Sequence, residues 1–277
     1  MTRVLVIGGG IIGCCIADAL ADAGVEVTVL ERDRVASGSS GLAVGIVESQ
    51  YVDPGWIDLR VFARRAFDAL ADEADIGFVR SGYLRLGYSP EDVTLFEGSV
   101  AHQRTLGVED ARCVGVDEIA ALVPSLRTDD VAGGLWCPSD GYVDPHLATV
   151  AFGDRARARG AVIAEGVEVA GAERRDGVWH IAASDGERTA DVVVNAAGPW
   201  APQAAALLGV TSDVSPQRRS AIQVHLAEPL DGIHPFTMNY IPGVNRLGAY
   251  VRHEAADRLI CGLHSEDLLD PASDPDD

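Results

Sequence analysis

The first thirty-one residues constrain the fold of this chain more than any other stretch. An apolar run, Val4–Ile7, is followed by glycines at positions 8, 10 and 13, in the spacing G-x-G-x-x-G. A helical pattern then covers residues 11–23, and a second apolar run, residues 25–30, ends at Glu31. A strand, a glycine turn, a helix and a second strand that ends on an acid together predict a βαβ unit that binds a dinucleotide.

Each residue of this motif has its own part in that prediction. Gly8 permits the tight turn, Gly10 lets a pyrophosphate approach the backbone, and Gly13 lets the helix pack on the strand. The helix start offers the N–H groups of Ile11 and Ile12, and the positive end of its dipole, to the phosphates. Glu31 lies 18 residues after Gly13, where it can bind a ribose hydroxyl. The alternative is a glycine-rich turn that binds no nucleotide.

Charge limits the classes of partner. The 277 residues include 42 acidic and 22 basic side chains, which gives a formal net charge of −20, and every basic residue is arginine. We therefore expect no nucleic-acid partner, because phosphates need a basic surface. We also expect no membrane span, because no run of 18 apolar residues occurs. A GC-rich genome and the acidic proteome of a halophile explain the composition equally well.

The cysteines and histidines indicate neither a disulfide framework nor a metal site. The five cysteines are odd in number and contain no C-x-x-C, and the seven histidines lack metal-ligand spacing. The pattern predicts buried thiols in a reducing, cytoplasmic compartment.

Two later segments are rich in small residues. Residues 36–47 contain mostly Gly, Ser and Ala, and residues 195–200 read N-A-A-G-P-W after an apolar strand. Backbone with small side chains can pass close to a bound dinucleotide. The alternatives are a flexible surface loop for the first segment and a helix start with Pro199 in its first turn for the second.

The order of elements predicts an α/β fold of mixed α+β character, with a Rossmann-like βαβ domain and an interleaved antiparallel-sheet domain for the substrate. Asp176-Gly177 and Asp185-Gly186 predict hairpin turns, and four strands are predicted between residues 220 and 263. We expect residues 1–80 and 140–212 to bind the dinucleotide and residues 81–139 and 213–265 to bind the substrate. Residues 266–277 form an acidic tail in this prediction.

Five motifs occur along the chain in one order. They are I-G-G-G-I-I-G (7–13), S-G-S-S-G-L-A-V-G-I (37–46), S-G-Y-L-R-L (81–86), D-G-Y-V-D-P-H (140–146) and V-V-N-A-A-G-P-W-A (193–201). Together they resemble the D-amino-acid-oxidase superfamily of FAD-dependent oxidoreductases, especially the branch with glycine oxidase, the sarcosine oxidase β subunit and the proline-type dehydrogenases. The resemblance extends from residue 3 to about residue 264.

The resemblance implies FAD and a set of residues that hold it. The five cysteines lie outside any motif for covalent linkage, so we expect the FAD to be bound non-covalently. Gly8, Gly10 and Gly13 would contact the pyrophosphate, and Glu31 and Arg32 the adenosine side. The remaining contacts implied by the resemblance are Ser39, Ser40 and Gly45 at the flavin, Val169 at the adenine, and Ala196, Ala197, Gly198 and Trp200 over the cofactor.

The resemblance also implies a reaction, the oxidation of the C–N bond of an amino acid or secondary amine by hydride transfer to flavin N5. In the family an arginine and a tyrosine bind the substrate carboxylate. Tyr250 and Arg252 alternate onto one face of a predicted strand, and Tyr240 lies on the neighbouring strand, so these three are the candidate catalytic residues. A solvated arginine on an edge strand explains Arg252 equally well.

The chain departs from the family in two ways. Several family oxidases use a lysine beside the flavin to react with oxygen, and this chain has no lysine. We therefore expect a dehydrogenase, with the electron acceptor left open. Family members also continue beyond the segment that this chain resembles. The alternative to an active enzyme is thus a truncated or non-catalytic FAD-binding subunit that works only within a hetero-oligomer.

Overall fold

A computed structural model describes residues 2–265 and divides the chain into two compact units. The first unit contains the residues up to Ala43 together with Asp144–Arg218, and the second contains Val44–Val143 and the chain from Arg219. This division differs from the predicted ranges mainly over residues 44–80, which pack with the second unit. The predicted functional division of the chain therefore stays a prediction, and the predicted tail lies outside the described residues.

The helices of the described chain are α1 (Ile11–Asp22), α2 (Pro54–Glu73), α3 (Pro90–Thr105), α4 (Val116–Leu122), α5 (Pro145–Ala158) and α6 (Ala201–Leu207). The strands are β1 (Arg3–Ile7), β2 (Glu26–Glu31), β3 (Ile46–Val47), β4 (Tyr83–Gly87), β5 (Arg112–Val114), β6 (Gly133–Cys137), β7 (Gly141–Tyr142), β8 (Val162–Glu165), β9 (Val169–Arg175), β10 (Val178–Ala183), β11 (Gly186–Ala190), β12 (Val192–Asn195), β13 (Ala221–His225), β14 (Phe236–Met238), β15 (Leu247–Ala255) and β16 (Arg258–Ser265).

The first unit is built on a parallel sheet of strand order β12-β1-β2-β8. Helix α1 connects β1 to β2, and Ala17 and Ala21 pack against Val4, Val6 and other valines of these strands. Alanines on the inner face let the helix lie close to the sheet, so burial of the valine side chains stabilises the βαβ unit. The predicted Rossmann-like fold class is confirmed.

A three-stranded antiparallel meander, β9 to β11, belongs to the same unit. At its first turn Asp176 has φ of 51° and Gly177 has φ of 84°, as a two-residue turn with positive φ requires. At the second turn Ala183 pairs with Gly186, so the turn residues lie one position earlier than the predicted Asp-Gly pair.

The second unit contains a seven-stranded sheet of order β13-β16-β15-β14-β4-β6-β5. Its strand pairs are antiparallel except for β14 and β4, which run parallel with Phe236 beside Tyr83. The antiparallel prediction therefore holds for this sheet except at one pair. Two segments far apart in sequence meet there, so no turn between them could signal the direction of pairing.

Two helices of the second unit, α2 and α3, begin at side-chain caps. Asp53 accepts a hydrogen bond from the N–H of Trp56 at 3.1 Å at the start of α2, and Ser89 and Asp92 form a reciprocal capping box at α3. Phe96 and other residues of α3 pack on the sheet. Among the helices within residues 2–265, none is long and apolar enough to cross a membrane.

Candidate functional site

The parallel strands of the first unit end at one edge of their sheet, and the loops after them carry most of the predicted cofactor residues. Gly8 follows β1, Glu31 ends β2, and Ala196 follows β12. Neighbouring parallel strands have their carboxyl ends side by side, which is where open α/β sheets bind ligands. We call these loops, residues 8–13, 31–40 and 196–200, the glycine cradle.

Gly8 and Gly13 are required by the close approach of backbone. Gly8 has φ of +108°, and a Cβ there would lie 2.5 Å from the carbonyl oxygen of Ala196. A Cβ on Gly13 would lie 1.9 Å from the carbonyl oxygen of Gly8. Gly8 therefore lets the loops after β1 and β12 meet, and Gly13 lets α1 pack directly against the turn.

Ser40 covers the start of α1. Its Oγ accepts a hydrogen bond from the N–H of Ile11 at 2.9 Å, and a Cβ on Gly10 would lie 2.9 Å from the same oxygen. The N–H of Ile11 is thus engaged, contrary to the sequence expectation. The N–H of Ile12 lies in the first turn, where the helix itself supplies no acceptor. Ser39 is exposed on the same loop.

Glu31 ties the end of β2 to the glycine turn. One of its carboxylate oxygens accepts a hydrogen bond from the N–H of Gly9 at 2.7 Å, and the other accepts one from the N–H of Asp33 at 2.9 Å. A carboxylate offers about four acceptor positions. Glu31 can therefore hold the turn and still accept hydrogen bonds from a ribose.

Arg32 and Trp200 meet across the cradle. The guanidinium carbon of Arg32 lies 4.3 Å from the centroid of the Trp200 ring, which is a cation–π contact. The indole Nε1 of Trp200 is buried and has no hydrogen-bond partner. Because buried donors normally have an acceptor, this one indicates that a polar group of a ligand belongs beside the indole.

Asn195 shapes the loop that carries Ala196, Ala197 and Gly198. Its Oδ1 accepts a hydrogen bond from the N–H of Ala197 at 3.2 Å, and its Nδ2 donates to the carbonyl of Ala201 at 2.8 Å. Asn195 opens the small-residue segment 195–200, but no role was predicted for its side chain. A side-chain amide directly before small residues was the signal that could have identified it.

Two further predicted cofactor residues lie outside the cradle. Val169 begins β9 and packs, half-buried, against the apolar cluster that contains Leu5 and Leu30. Gly45 belongs to the second unit, where its carbonyl accepts a hydrogen bond from the N–H of Val143 at 2.9 Å.

The three candidate catalytic residues share one face of the seven-stranded sheet. Tyr250 of β15 pairs with Met238 of β14, and Arg252 follows two residues later on the same face. Tyr240 packs against Gly248, where a Cβ would lie 2.5 Å from the Tyr240 Cβ. We call this surface the tyrosine face; it comprises Tyr83, Arg85, Phe236, Met238, Tyr240, Tyr250 and Arg252.

Arg252 is buried in the interior of the sheet. Its residue exposure is 6%, and β15 lies between β14 and β16. Its guanidinium donates to the carbonyl of Val44 at 2.8 Å, forms an ion pair with Glu254, and lies 4.5 Å from the ring centroid of Tyr142. The alternative of a solvated arginine on an edge strand is therefore wrong.

Both tyrosines are held by packing. The hydroxyl of Tyr250 lies over Gly262, where a Cβ would be 2.2 Å from it, and its ring stacks on Phe236. Burial raises the pKa of Tyr250, so the hydroxyl stays protonated and can donate a hydrogen bond. The Tyr240 ring packs on His264 with 3.9 Å between centroids.

The sequence analysis missed a buried arginine on this face. Arg85 is 1% exposed, and its Nη2 contacts Glu48 at 3.1 Å and donates to the hydroxyl of Tyr83 at 2.8 Å. Its Nη1 donates to the carbonyl of Tyr240. The sequence did carry a signal for this residue: Arg85 is the one charged residue in an otherwise apolar strand, two positions after Tyr83.

Comparison with known proteins matches this geometry to one family. Residues 3–277 match the family model DAO, described as FAD dependent oxidoreductase. Dimethylglycine dehydrogenase from Rattus norvegicus is 31% identical over 221 residues, which are 77% of this chain and 25% of that protein. Glycine oxidase from Geobacillus kaustophilus is 28% identical over 272 residues, which are 95% of this chain and 70% of that protein.

A solved structure shows the same fold. L-proline dehydrogenase from P. horikoshii superposes with a TM-score of 0.82 at 29% identity, and the match covers 99% of this chain and 72% of that one. The chain thus spans about a quarter of the dimethylglycine dehydrogenase and about 70% of the glycine oxidase that it matches.

Proposed function

Because this chain belongs to the DAO family of FAD-dependent oxidoreductases, we propose that it oxidises the C–N bond of an α-amino acid whose nitrogen is primary, secondary or tertiary. Three of the proteins that it resembles are named for glycine, dimethylglycine and proline, in which the carbon next to the carboxylate carries the nitrogen. The carboxylate is therefore the group that we expect this chain to recognise.

The observation that carries the proposal is the buried Arg252 beside Tyr250 on the tyrosine face. An arginine binds both oxygens of a carboxylate, and burial strengthens the interaction. Arg252 already holds the carboxylate of Glu254, so its surroundings suit a group of that shape and charge. We infer that the substrate carboxylate replaces Glu254 as the partner of Arg252 and that the Tyr250 hydroxyl donates to it.

The glycine cradle fits the cofactor of the family. When bound, FAD supplies the acceptor for a hydride from the carbon next to the substrate nitrogen. The N–H of Ile12 at the start of α1 and the hydroxyl of Ser40 would bind the pyrophosphate, and Glu31 would bind the ribose. The unsatisfied Nε1 of Trp200 would donate to a polar atom of the cofactor.

We further propose an acceptor other than oxygen, because the chain has no lysine of the kind used by several family oxidases. We propose a non-covalent flavin, because the five cysteines lie outside any motif for covalent linkage. We also propose a cytoplasmic location. The five cysteines are free, and burial raises the pKa of Cys14, Cys15 and Cys137 to about 12, so these thiols stay protonated.

The test is the visible spectrum of the purified chain, followed by anaerobic addition of amino acids. We expect flavin bands near about 375 and 450 nm that glycine, sarcosine, dimethylglycine or proline bleaches. Matched controls replace the carboxylate of two substrates by hydrogen: trimethylamine for dimethylglycine and dimethylamine for sarcosine. Air and an artificial dye, offered in turn to the reduced protein, distinguish an oxidase from a dehydrogenase.

Two results would contradict the proposal. Equal bleaching by trimethylamine and dimethylglycine would show that no carboxylate is recognised. A yellow protein that no amine bleaches would favour the non-catalytic flavin-binding subunit, and added partner extract that restores bleaching would then identify the hetero-oligomer.

A further inference from the structure

The segment Ile46–Gln50 carries side chains to the tyrosine face at every second position. Ile46 packs with the aromatic cluster of that face, and Glu48 pairs with Arg85 at 3.1 Å. Gln50 donates from Nε2 to the carbonyl of Tyr83 at 2.9 Å. Alternation places Ser49 on the opposite side of this extended segment.

Asp140 holds Ser49 from that opposite side. Both carboxylate oxygens lie 3.0 Å from the backbone nitrogen of Ser49, and the side chain is fully buried. The carbonyl of Asp140 accepts a hydrogen bond from the N–H of Gly82 at 2.9 Å, directly before Tyr83. One residue therefore fixes both segments that bring Glu48, Tyr83 and Arg85 together.

The charged and titratable groups around Asp140 come from several segments of the second unit. Arg64 of α2 donates to Asp140 at 3.1 Å and also contacts Asp68, which pairs with Arg80. The Cys137 thiol lies beside Ser49 and Asp110, and Glu48 is the acid on the segment that Asp140 holds. Burial raises the pKa of Asp140 to about 7, against the opposing effects of the Ser49 hydrogen bond and of Arg64.

Desolvation makes a buried carboxylate costly, so stability alone is a weak reason for the protein to retain one. We propose that Asp140 is a positioning residue for substrate binding: by holding Ser49 and Gly82 it sets Glu48, and through Glu48 the Arg85–Tyr83 pair, on the tyrosine face. The inference rests on the proposed function, since it takes that face to be the substrate surface.

The variant Asp140→Asn tests this arrangement because an amide has one acceptor oxygen where the carboxylate has two. Both carboxylate oxygens lie 3.0 Å from the Ser49 nitrogen, so in either rotamer the NH2 group of the amide faces the Ser49 N–H. The hold on Ser49 is therefore weakened, whereas an oxygen at the Oδ1 position still accepts from Arg64. The matched control is Asp68→Asn, which removes the other, half-exposed acid from the same Arg64 and leaves Ser49 untouched. The FAD-loaded proteins are compared by hydrogen exchange of the 44–50 peptide and by KM and kcat for the amino acid that bleaches the wild type.

We expect Asp140→Asn to raise exchange in the 44–50 peptide about tenfold and KM about tenfold, with kcat within about twofold. Asp68→Asn should change none of these. Protonation of the Asp140 carboxylate in the wild type also leaves it with one good acceptor oxygen. The KM of the wild type should therefore rise as pH falls through about 7. The KM of Asp140→Asn should not show this pH dependence.

Unchanged exchange in Asp140→Asn overturns the inference whatever the kinetics show. Raised exchange with an unchanged KM also overturns it, because the segment would then be held without serving the substrate. If Asp140→Asn does not fold, a wild-type KM that is flat between pH 6 and 8 overturns it. A wild type that oxidises no amine overturns the proposed function. The hydrogen-exchange comparison then still decides whether Asp140 anchors residues 44–50.

Discussion

At the scale of single residues, Arg252 shows how burial changes the meaning of a charge. On a surface strand its ion pair with Glu254 would contribute little. Inside the sheet the guanidinium is held by Val44, Glu254 and Tyr142, so its fork is already oriented for a carboxylate. A preoriented group loses less side-chain entropy when the substrate binds.

We expect Arg252→Lys to raise KM for the amino acid about 10- to 100-fold, because a lysine cannot bind both carboxylate oxygens at once. Steady-state kinetics with sarcosine and dimethylglycine measure it. The matched control is Arg258→Lys on the adjacent strand, where the arginine is more exposed and pairs with Asp257. A KM within twofold of the wild type would show that Arg252 does not bind the substrate.

Trp200 gives a second prediction at this scale. We expect Trp200→Phe to weaken FAD binding about tenfold, because it removes the unsatisfied Nε1 donor and weakens the contact with Arg32. Equilibrium dialysis of FAD measures the change. Trp179→Phe is the control, since Trp179 also lies under an arginine, Arg174, but on the meander. Equal losses in the two variants would point to general destabilisation.

Two histidines that lie wholly or partly out of solvent, His253 and His234, predict a loss of stability in acid. Burial lowers the pKa of His234 and of His253, and the N–H of His234 donates to Nδ1 of His253. As pH falls below about 6.5, the unfolded chain takes up these protons first, so the free energy of unfolding decreases. The slope is at most about 1.4 kcal/mol per pH unit for each group.

Denaturant unfolding of the wild type and of His253→Gln at pH 7.5 and 5.5 tests whether the free energy of unfolding decreases in acid. The variant keeps an acceptor for His234 and should lose less stability in acid than the wild type. His225→Gln, on the exposed edge strand β13, is the control and should follow the wild type. A variant that loses as much as the wild type would refute the assignment.

At the scale of elements, Gly13 in α1 and Gly98 in α3 differ in the space that is open to a Cβ atom. We expect Gly13→Ala to lower the free energy of unfolding by about 3 kcal/mol or more, because its Cβ would overlap the Gly8 carbonyl. Gly98→Ala, in an exposed position of α3 with no atom near the new Cβ, should instead raise it by about 0.5–1 kcal/mol. Urea unfolding of both variants distinguishes steric crowding from helix propensity; a Gly13→Ala protein as stable as the wild type would contradict the packing argument.

Turns and helix starts could be predicted from the sequence, because they depend on the conformations of a few neighbouring residues. The glycine spacing gave the turn before α1, and Asp176-Gly177 gave a hairpin with positive φ. The pairing of Arg85 with Glu48 could not be predicted in this way. It depends on how β4 lies against a segment 37 residues away in sequence, and the residues next to Arg85 carry no information about that contact. The same holds for Arg252, whose burial follows from the place of β15 between two other strands.

At the scale of the whole molecule, repulsion among the side chains that give the net charge of −20 destabilises the folded state. We expect the melting temperature to rise between 0.05 and 1 M NaCl, because the Debye length falls from more than about 10 Å to about 3 Å. Screening depends on ionic strength, so KCl at the same concentration should act equally. A melting temperature that is independent of salt would favour codon bias as the origin of the acidic composition.

The parallel pair of β4 and β14 also sets an order of events during synthesis. Residues 83–87 leave the ribosome about 150 residues before 236–238, a delay of roughly 10 to 30 seconds at ordinary elongation rates. Through that interval the nascent sheet of β4, β5 and β6 presents an open edge to solvent. We therefore expect slower translation to lower the yield of native protein more than it lowers synthesis, and an added chaperone that shields the open edge to restore that yield.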